Sequence, residues 1–185
     1  MVARLRFYGH RELADKLGIP LSRWKRWSRE FLPPDSLGGL QSGYARQLTV
    51  DDAFTVFLGG HLVGVLKYGI PSARHILSDL RDWLGTAGFY QTPIYRNKTA
   101  ERPERSVRAY QIYINAHDAM SFAYTIRGIL DEKARVSKDV CIRTIRYWEK
   151  HIGDTALHGE ALTEAGVGLL NITGVHGVFV DRLNR

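Results

Sequence analysis

The stretch from Ser22 to Pro34, SRWKRWSREFLPP, interleaves two tryptophans with four cationic side chains and then ends on two prolines. A helix advances by about 100° per residue. In that conformation Trp24, Trp27 and Phe31 fall on one side. The opposite side then holds the polar and cationic residues Ser22, Arg23, Lys25, Arg26 and Arg29. The pattern predicts a helix that packs on a small core through its aromatic side and shows a cationic face to solvent.

The boundaries of this helix follow from its end residues. Ser22 is the expected N-cap, since a serine hydroxyl can accept a hydrogen bond from a free amide of the first turn. Pro33 and Pro34 cannot continue a helix, and Pro33 disfavours the helical conformation of Leu32.

The basic residues are concentrated in this part of the chain. The 185 residues carry a formal net charge of +7, and residues 1–47 hold nine Lys/Arg against four Asp/Glu. Residues 48–84 hold three against four. A local basic excess is typical of a nucleic-acid-binding surface. A solvated surface of Lys and Arg is the simpler alternative.

The sequence around the cationic helix predicts a helix-turn-helix followed by a hairpin. HRELADKL, residues 10–17, predicts a short helix that Gly18 ends, and Ile19-Pro20-Leu21 connects it to the cationic helix. Residues 35–43 are rich in turn formers, so 44–48 are expected to return as a strand, forming a wing that carries Tyr44 and Arg46. Thr49 and Asp52 have capping-box spacing for a further helix, and Pro71 begins another.

The order of these motifs resembles the N-terminal DNA-binding domain of MerR-type transcription regulators. The matching stretches are Glu12-Leu13-Ala14, Gly18-Ile19, RWKRWSREFLPP, GYARQL from 43 to 48, Asp51-Asp52 and Gly69-Ile70. The resemblance covers about residues 7–84. It implies a winged helix-turn-helix that binds double-stranded DNA.

The resemblance also implies roles for individual residues. Lys25 matches the arginine of the family's recognition helix, Tyr44 matches the wing tyrosine, and Arg46 matches the wing arginine after a shift of one residue. The complete predicted DNA-binding set is Ser22, Arg23, Lys25, Arg26, Arg29, Tyr44 and Arg46. The family's glycine before the double proline, its long dimerisation helix and its metal-sensing cysteines are missing. DNA binding is therefore expected, and the family's usual sensing chemistry is not.

The second half has weaker patterns. Residues 85–105 read as a linker, and VRAYQIYIN, residues 107–115, alternates like a strand. Asp118 is expected to cap a helix running to about Leu130, and 140–151 is expected to be helical with Ile142, Ile145 and Trp148 on one side. LLNIT and GVFV are expected to be short strands around Gly174. The predicted fold class is mainly α with small β, comprising a winged helix-turn-helix in 1–84, the linker 85–105 and a small α+β dimerisation or sensor domain in 106–185.

Several kinds of site are not expected. A single cysteine, Cys141, forms no intrachain disulfide, and no apolar run reaches the length of about 20 residues that spans a membrane. The nucleophile-elbow, phosphate-loop and HExxH motifs are missing. The metal-like cluster His151, Asp154, His158 and Glu160 contains two glycines within its span, which favour a solvated loop. We therefore predict no catalytic site, metal or cofactor.

The sequence favours a cytoplasmic, sequence-specific regulator of transcription that binds double-stranded DNA as a homodimer, with an unidentified small-molecule effector as a further partner and no membrane partner. The dimer contact is expected in 106–185, through the edge of the 107–115 strand or the face of Ile142, Ile145 and Trp148. The alternative is that 106–185 form a second DNA-binding winged helix, in which Arg143, Arg146 and Lys150 face the DNA. The sequence is also compatible with an excisionase-like architectural factor, and with a small-molecule-binding or enzymatic C-terminal domain that has accessory DNA binding.

Overall fold

The structure, a computed structural model, combines helices with an antiparallel sheet and describes residues 6–35, 46–90, 107–116, 118, 120–135, 141–153 and 167–185. In chain order its elements are α1 (His10–Leu17), α2 (Leu21–Phe31), α3 (Val50–Gly64), α4 (Ile70–Thr86), β1 (Val107–Ala116), β2 (Phe122–Arg135), β3 (Cys141–Ile152), β4 (Val167–Leu170) and α5 (Ile172–Leu183).

The chain divides into two compact units. One comprises Met1–Ala100 with His176–Arg185, and the other comprises Glu101–Val175. The division therefore falls inside α5, and the last ten residues belong with the helical first half. The boundaries predicted from sequence place all of 106–185 in a second domain, without this return of the chain.

The helical unit is built around α2, which packs against α1, α3 and α4. Its core includes Leu13, Leu17, Trp24, Phe54 and Leu80, all nearly or fully buried. Gly18 adopts a left-handed conformation with φ 67° and ends α1, as predicted. One side of α4 is also buried in this core, namely Ile76, Leu77, Leu80, Trp83 and Leu84.

The predicted capping box at the start of α3 is confirmed. The Thr49 hydroxyl accepts a hydrogen bond from the amide of Asp52, and the Asp52 carboxylate accepts one from the amide of Thr49. Farther along α3, Gly59 and Gly60 sit mid-helix, where glycine usually weakens a helix. A Cβ at Gly59 would overlap the Phe31 ring, and one at Gly60 would overlap the Trp27 ring. The two glycines thus let α2 approach α3 closely.

The end of α5 completes the core of the helical unit. Phe179 is buried, with its ring centroid 5.2 Å from that of Phe54 and 5.5 Å from that of Phe57. Arg182 donates a hydrogen bond to the carbonyl of Leu17 at 2.8 Å. The Lys16 ammonium donates to the carbonyl of Leu183 at 3.1 Å.

The other unit contains a four-stranded antiparallel sheet in the order β3-β2-β1-β4. One face is buried and consists of the even-numbered residues of β1 and β2, such as Ile112, Ile114, Tyr124 and Ile126. Odd-numbered residues form the opposite face, where Ile145 and Tyr147 of β3 are 64% and 63% exposed.

Two helices predicted from sequence in this unit are wrong. The segment after Asp118 is strand β2, and the Asp118 carboxylate accepts a hydrogen bond from the amide of Met120 in the preceding turn. The segment predicted as a helix over 140–151 is strand β3. In the resulting hairpin Trp148 lies opposite Gly128, whose missing Cβ leaves room for the indole ring.

The predicted strand GVFV is also wrong, because it lies inside α5. Buried Ile172, Val175, Phe179 and Leu183 recur at helical spacing, which fits one apolar side of a helix and not a strand. A second winged helix in this half, with a reading helix that carries Arg143, Arg146 and Lys150, is therefore excluded, since these residues lie in β3.

Both predicted dimer surfaces need correction. The edge of the 107–115 strand is covered over residues 112–115, where β1 pairs with β4 on the side opposite β2. Ile145 and Trp148 do not share a face, because their positions in β3 differ by an odd number of residues.

The fold class is therefore α+β, with more strand than the small β content that the sequence suggested. Residues 36–45 of the expected wing, including Tyr44, lie outside the described residues. Leu48 forms an isolated antiparallel bridge with Tyr8, with both backbone hydrogen bonds at 2.9 Å. In the part of the chain that the structure describes, no helix is long and apolar enough to cross a membrane.

Candidate nucleic-acid interface

Helix α2 presents a sharp division between buried and exposed residues. Trp24 is fully buried, and Ser28 beside it is 2% exposed, with its hydroxyl donating to the carbonyl of Trp24 at 3.0 Å. Trp27 and Phe31 are half-buried against α3. The cationic face of α2, defined as Arg23, Lys25, Arg26 and Arg29, is exposed, as is Ser22. The prediction of a helix with an aromatic side packed on the core and a cationic face exposed to solvent is confirmed.

Ser22 is not the N-cap. The cap position belongs to Pro20, whose extended backbone precedes the helix and whose carbonyl accepts the first helical hydrogen bond, from the amide of Trp24 at 2.9 Å. Proline suits this entry because its ring fixes φ near the value found at a helix start. Ser22 consequently lies within the first turn of α2, with its side chain exposed.

The connection between α1 and α2 is short and well defined. The amide of Ile19 donates to the carbonyl of Ala14 at 2.9 Å, and that of Gly18 donates to the carbonyl of Asp15 at 3.2 Å. These bonds satisfy carbonyls at the end of α1, and α2 begins at Leu21. The result is two packed helices joined by a glycine turn, with the cationic face on the second helix.

Arg46, which follows residues 36–45 in the sequence, also contacts this region. Its guanidinium donates to the carbonyl of Pro33 at 2.9 Å, which links the chain just after α2 to the chain just before α3. Arg46 is half-buried and lies with two cations of α2 around one pocket of about 360 Å³. The residues that line this pocket, here called the basic pocket, are His10, Ser22, Lys25, Ser28, Arg29 and Arg46.

His10 was not singled out from the sequence. Burial, together with the positive charges of Lys25 and Arg46, lowers the pKa of its imidazole below the usual value. A histidine that begins a helix has no distinguishing sequence pattern, so only the packing of α1 against α2 reveals its cationic surroundings.

The structure thus brings together most of the predicted DNA-binding residues. Ser22, Lys25, Arg29 and Arg46 line one pocket, and Arg23 and Arg26 lie on the same helix outside it. Tyr44 lies outside the described residues. Asp154, His158 and Glu160 of the metal-like cluster also lie outside the described residues. Within the described ranges, no group of three or more His, Cys, Asp or Glu side chains is placed to hold a metal ion.

No protein-family model, curated protein or solved structure matches this chain.

Proposed function

We propose that the protein is a sequence-specific regulator of transcription that binds double-stranded DNA through α2. The observation that supports this most strongly is the cationic face of α2, exposed on a helix whose other side is anchored by a fully buried tryptophan. A rigid helix of this kind, following a short turn, is the element that helix-turn-helix proteins insert into the major groove.

The cations have two distinct jobs in this proposal. Residues near the start of a recognition helix contact base edges, and the surrounding cations contact phosphates. Arg23 and Arg26 are assigned to bases because they lie on the exposed side of α2 outside the basic pocket. Lys25, Arg29 and Arg46 are assigned to the phosphate backbone, with Tyr44 as a further contact from the wing that the resemblance implies.

The proposal is tested by titrating wild type and single variants into labelled duplexes at several salt concentrations. Lys25→Ala should weaken binding to all duplexes alike and lower the salt slope by about one. Arg26→Ala should cost about 1–3 kcal/mol on the preferred sequence and less on others. Arg185→Ala is the matched control, since it removes one exposed cation from the same unit outside α2. Near-wild-type affinity in both α2 variants would remove this helix from the interface.

A homodimer is part of the proposal, because one recognition helix covers only a half-site and two-fold dimers of such domains bind paired half-sites. We assign the contact to the odd-numbered face of the sheet, where Ile145, Tyr147, Val167 and Leu169 are exposed. Arg127 lies in the same face, with its guanidinium 4.6 Å from the Tyr147 ring and hydrogen-bonded to Glu149 at 2.7 Å. These contacts hold the Tyr147 ring and the Arg127 guanidinium in place beside the exposed apolar side chains.

Sedimentation of the full chain tests this contact. Wild type is expected to sediment as a dimer, and Ile145→Glu is expected to shift it toward the monomer. Val65→Glu is the matched control, because Val65 is 61% exposed in the helical unit and the same charge is introduced there. A monomeric wild type, or a dimer that Ile145→Glu leaves intact, would contradict the assignment.

A further inference from the structure

The basic pocket concentrates positive charge from two separate segments of the chain. Lys25 and Arg29 reach it from α2, and Arg46 reaches it from the segment before α3. Its remaining lining residues are His10, at the start of α1, and the serines Ser22 and Ser28. Among the described residues that line the pocket there is no carboxylate. Three cations that converge on one concave surface favour an anion with several oxygens.

His10 is the lining residue whose charge can change near neutral pH. Its Nδ1 atom is buried and has no hydrogen-bond partner within the described part of the chain. A buried nitrogen without a partner is costly, unless a ligand or water supplies the missing hydrogen bond. The unsatisfied atom therefore lies on a side chain that borders the cationic pocket.

We propose that the basic pocket is a phosphate site whose filling protonates His10, because the phosphate offsets the charges of Lys25 and Arg46 beside it. This inference rests on the proposed function, since the expected source of the phosphate is the DNA backbone. It adds a consequence that DNA binding alone does not require, namely that filling the pocket takes up a proton.

The electrostatics give the direction of the effect. In the free protein, burial and the charges of Lys25 and Arg46 lower the pKa of His10, which favours the neutral imidazole. A phosphate brings negative charge that offsets both cations and favours the imidazolium. Because the bound state holds a proton that the free state lacks, affinity must rise as pH falls from the bound-state pKa toward the free-state pKa.

The test compares duplex affinity at about pH 8 and about pH 6, the range in which histidine changes charge. Wild type should bind about five- to tenfold more tightly at the lower pH. His10→Gln should lose this dependence, because a glutamine amide carries no charge at either pH. His75→Gln, on α4 beside Asp79 and outside the pocket, should behave as wild type. A His10→Gln variant that keeps the full pH dependence would overturn the proposal.

A second measurement separates this inference from the proposed function. NMR titration of the His10 ring should show its pKa rising when duplex DNA is added and, more weakly, when inorganic phosphate is added. If phosphate raises the pKa but no duplex binds, the phosphate site stands and the proposed DNA binding fails. If duplex binds with no change in the His10 titration, DNA binding stands and the phosphate site with its proton uptake is wrong.

Discussion

At the scale of single residues, the contact between α2 and α3 depends on the absence of a side chain at Gly60. A Cβ there would overlap the Trp27 ring, so Gly60→Ala must displace the indole. We expect the variant to lose about 1–3 kcal/mol of unfolding free energy, because overpacking outweighs the gain of about 1 kcal/mol in helix propensity. Urea denaturation of the two alanine variants, Gly60→Ala and Gly64→Ala, measures this directly.

Gly64→Ala is the matched control in the same helix, since nothing lies within 4 Å of a Cβ at Gly64. It is expected to leave stability unchanged or to raise it slightly. Equal effects of the two substitutions would contradict the close approach of α2 and α3.

His176 makes the stability of the helical unit depend on pH. Its ring packs against Phe54 and Phe89, with centroids 4.9 and 5.3 Å apart, and burial lowers its pKa. The unfolded chain therefore binds more protons than the folded one. Stability present above about pH 6.5, the unperturbed histidine pKa, is lost as pH falls from that value through the folded pKa. In urea denaturation at several pH values, His176→Phe should reduce the loss of unfolding free energy at low pH. If the variant shows the same pH dependence of stability as wild type, His176 is not its cause.

At the scale of secondary-structure elements, the start of α3 depends on its capping box. Thr49→Ala removes the hydroxyl that accepts from Asp52, and we expect it to cost about 0.5–2 kcal/mol of unfolding free energy. Thr86→Ala, near the end of α4, is the control. The Thr86 hydroxyl donates to the carbonyl of Asp82 within an exposed turn, so its loss should change stability by no more than about 0.5 kcal/mol. Chemical denaturation that fails to distinguish the two variants would contradict the role of the cap.

The elements of the helical half were predictable because local signals agree with the packing there. The glycine after α1 and the capping box of α3 predict the observed boundaries, and Pro71, the predicted start of α4, lies in its first turn, within one residue of the observed start. The N-cap of α2 was mispredicted because Ser22 is the better capping side chain, whereas Pro20 fixes the entry of the chain through its backbone. The Tyr8–Leu48 bridge joins segments that are distant in sequence, so no local pattern indicates it.

The sheet was harder to predict. In β2, Phe122, Tyr124 and Ile126 lie on the buried face and alternate with Thr125 and Arg127 on the other face. This alternation is a strand pattern, but Asp118 was interpreted as the cap of a helix, so the pattern was overlooked. In β3 the spacing of Ile142, Ile145 and Trp148 suggested one side of a helix. Only the pairing of β3 with β2 brings Glu149 to Arg127 and places Trp148 over Gly128. These are cross-strand relations, which a single sequence does not reveal.

At the scale of the whole molecule, the end of the chain belongs to the core of the first unit. Phe179 lies among Phe54 and Phe57, so Phe179→Ala should cost about 3–5 kcal/mol of unfolding free energy in the helical unit. Val178→Ala is the control, since the neighbouring valine is 45% exposed. Far-UV circular dichroism during urea unfolding would show the difference. A full-stability Phe179→Ala variant would contradict the joining of His176–Arg185 to this unit.

The candidate site was predicted in part for the same physical reason as the fold. Helical spacing alone predicts which cations of α2 are exposed. The exposure of Arg23, Lys25, Arg26 and Arg29 was therefore predictable from the sequence. The convergence of Lys25 and Arg29 with Arg46 and His10 around one pocket depends on how three separate segments pack, and the sequence contains no pattern for that arrangement.

The central claim, that α2 reads DNA sequence, is tested most directly by selecting duplexes from a randomised library with the full-length protein. The proposal predicts an enriched motif bound at least about a thousandfold more tightly than unrelated DNA. It also predicts that Arg26→Ala relaxes the motif at one position, whereas Arg185→Ala returns the wild-type motif. A library that shows no enrichment, or a motif that the α2 variants leave unchanged, would contradict it.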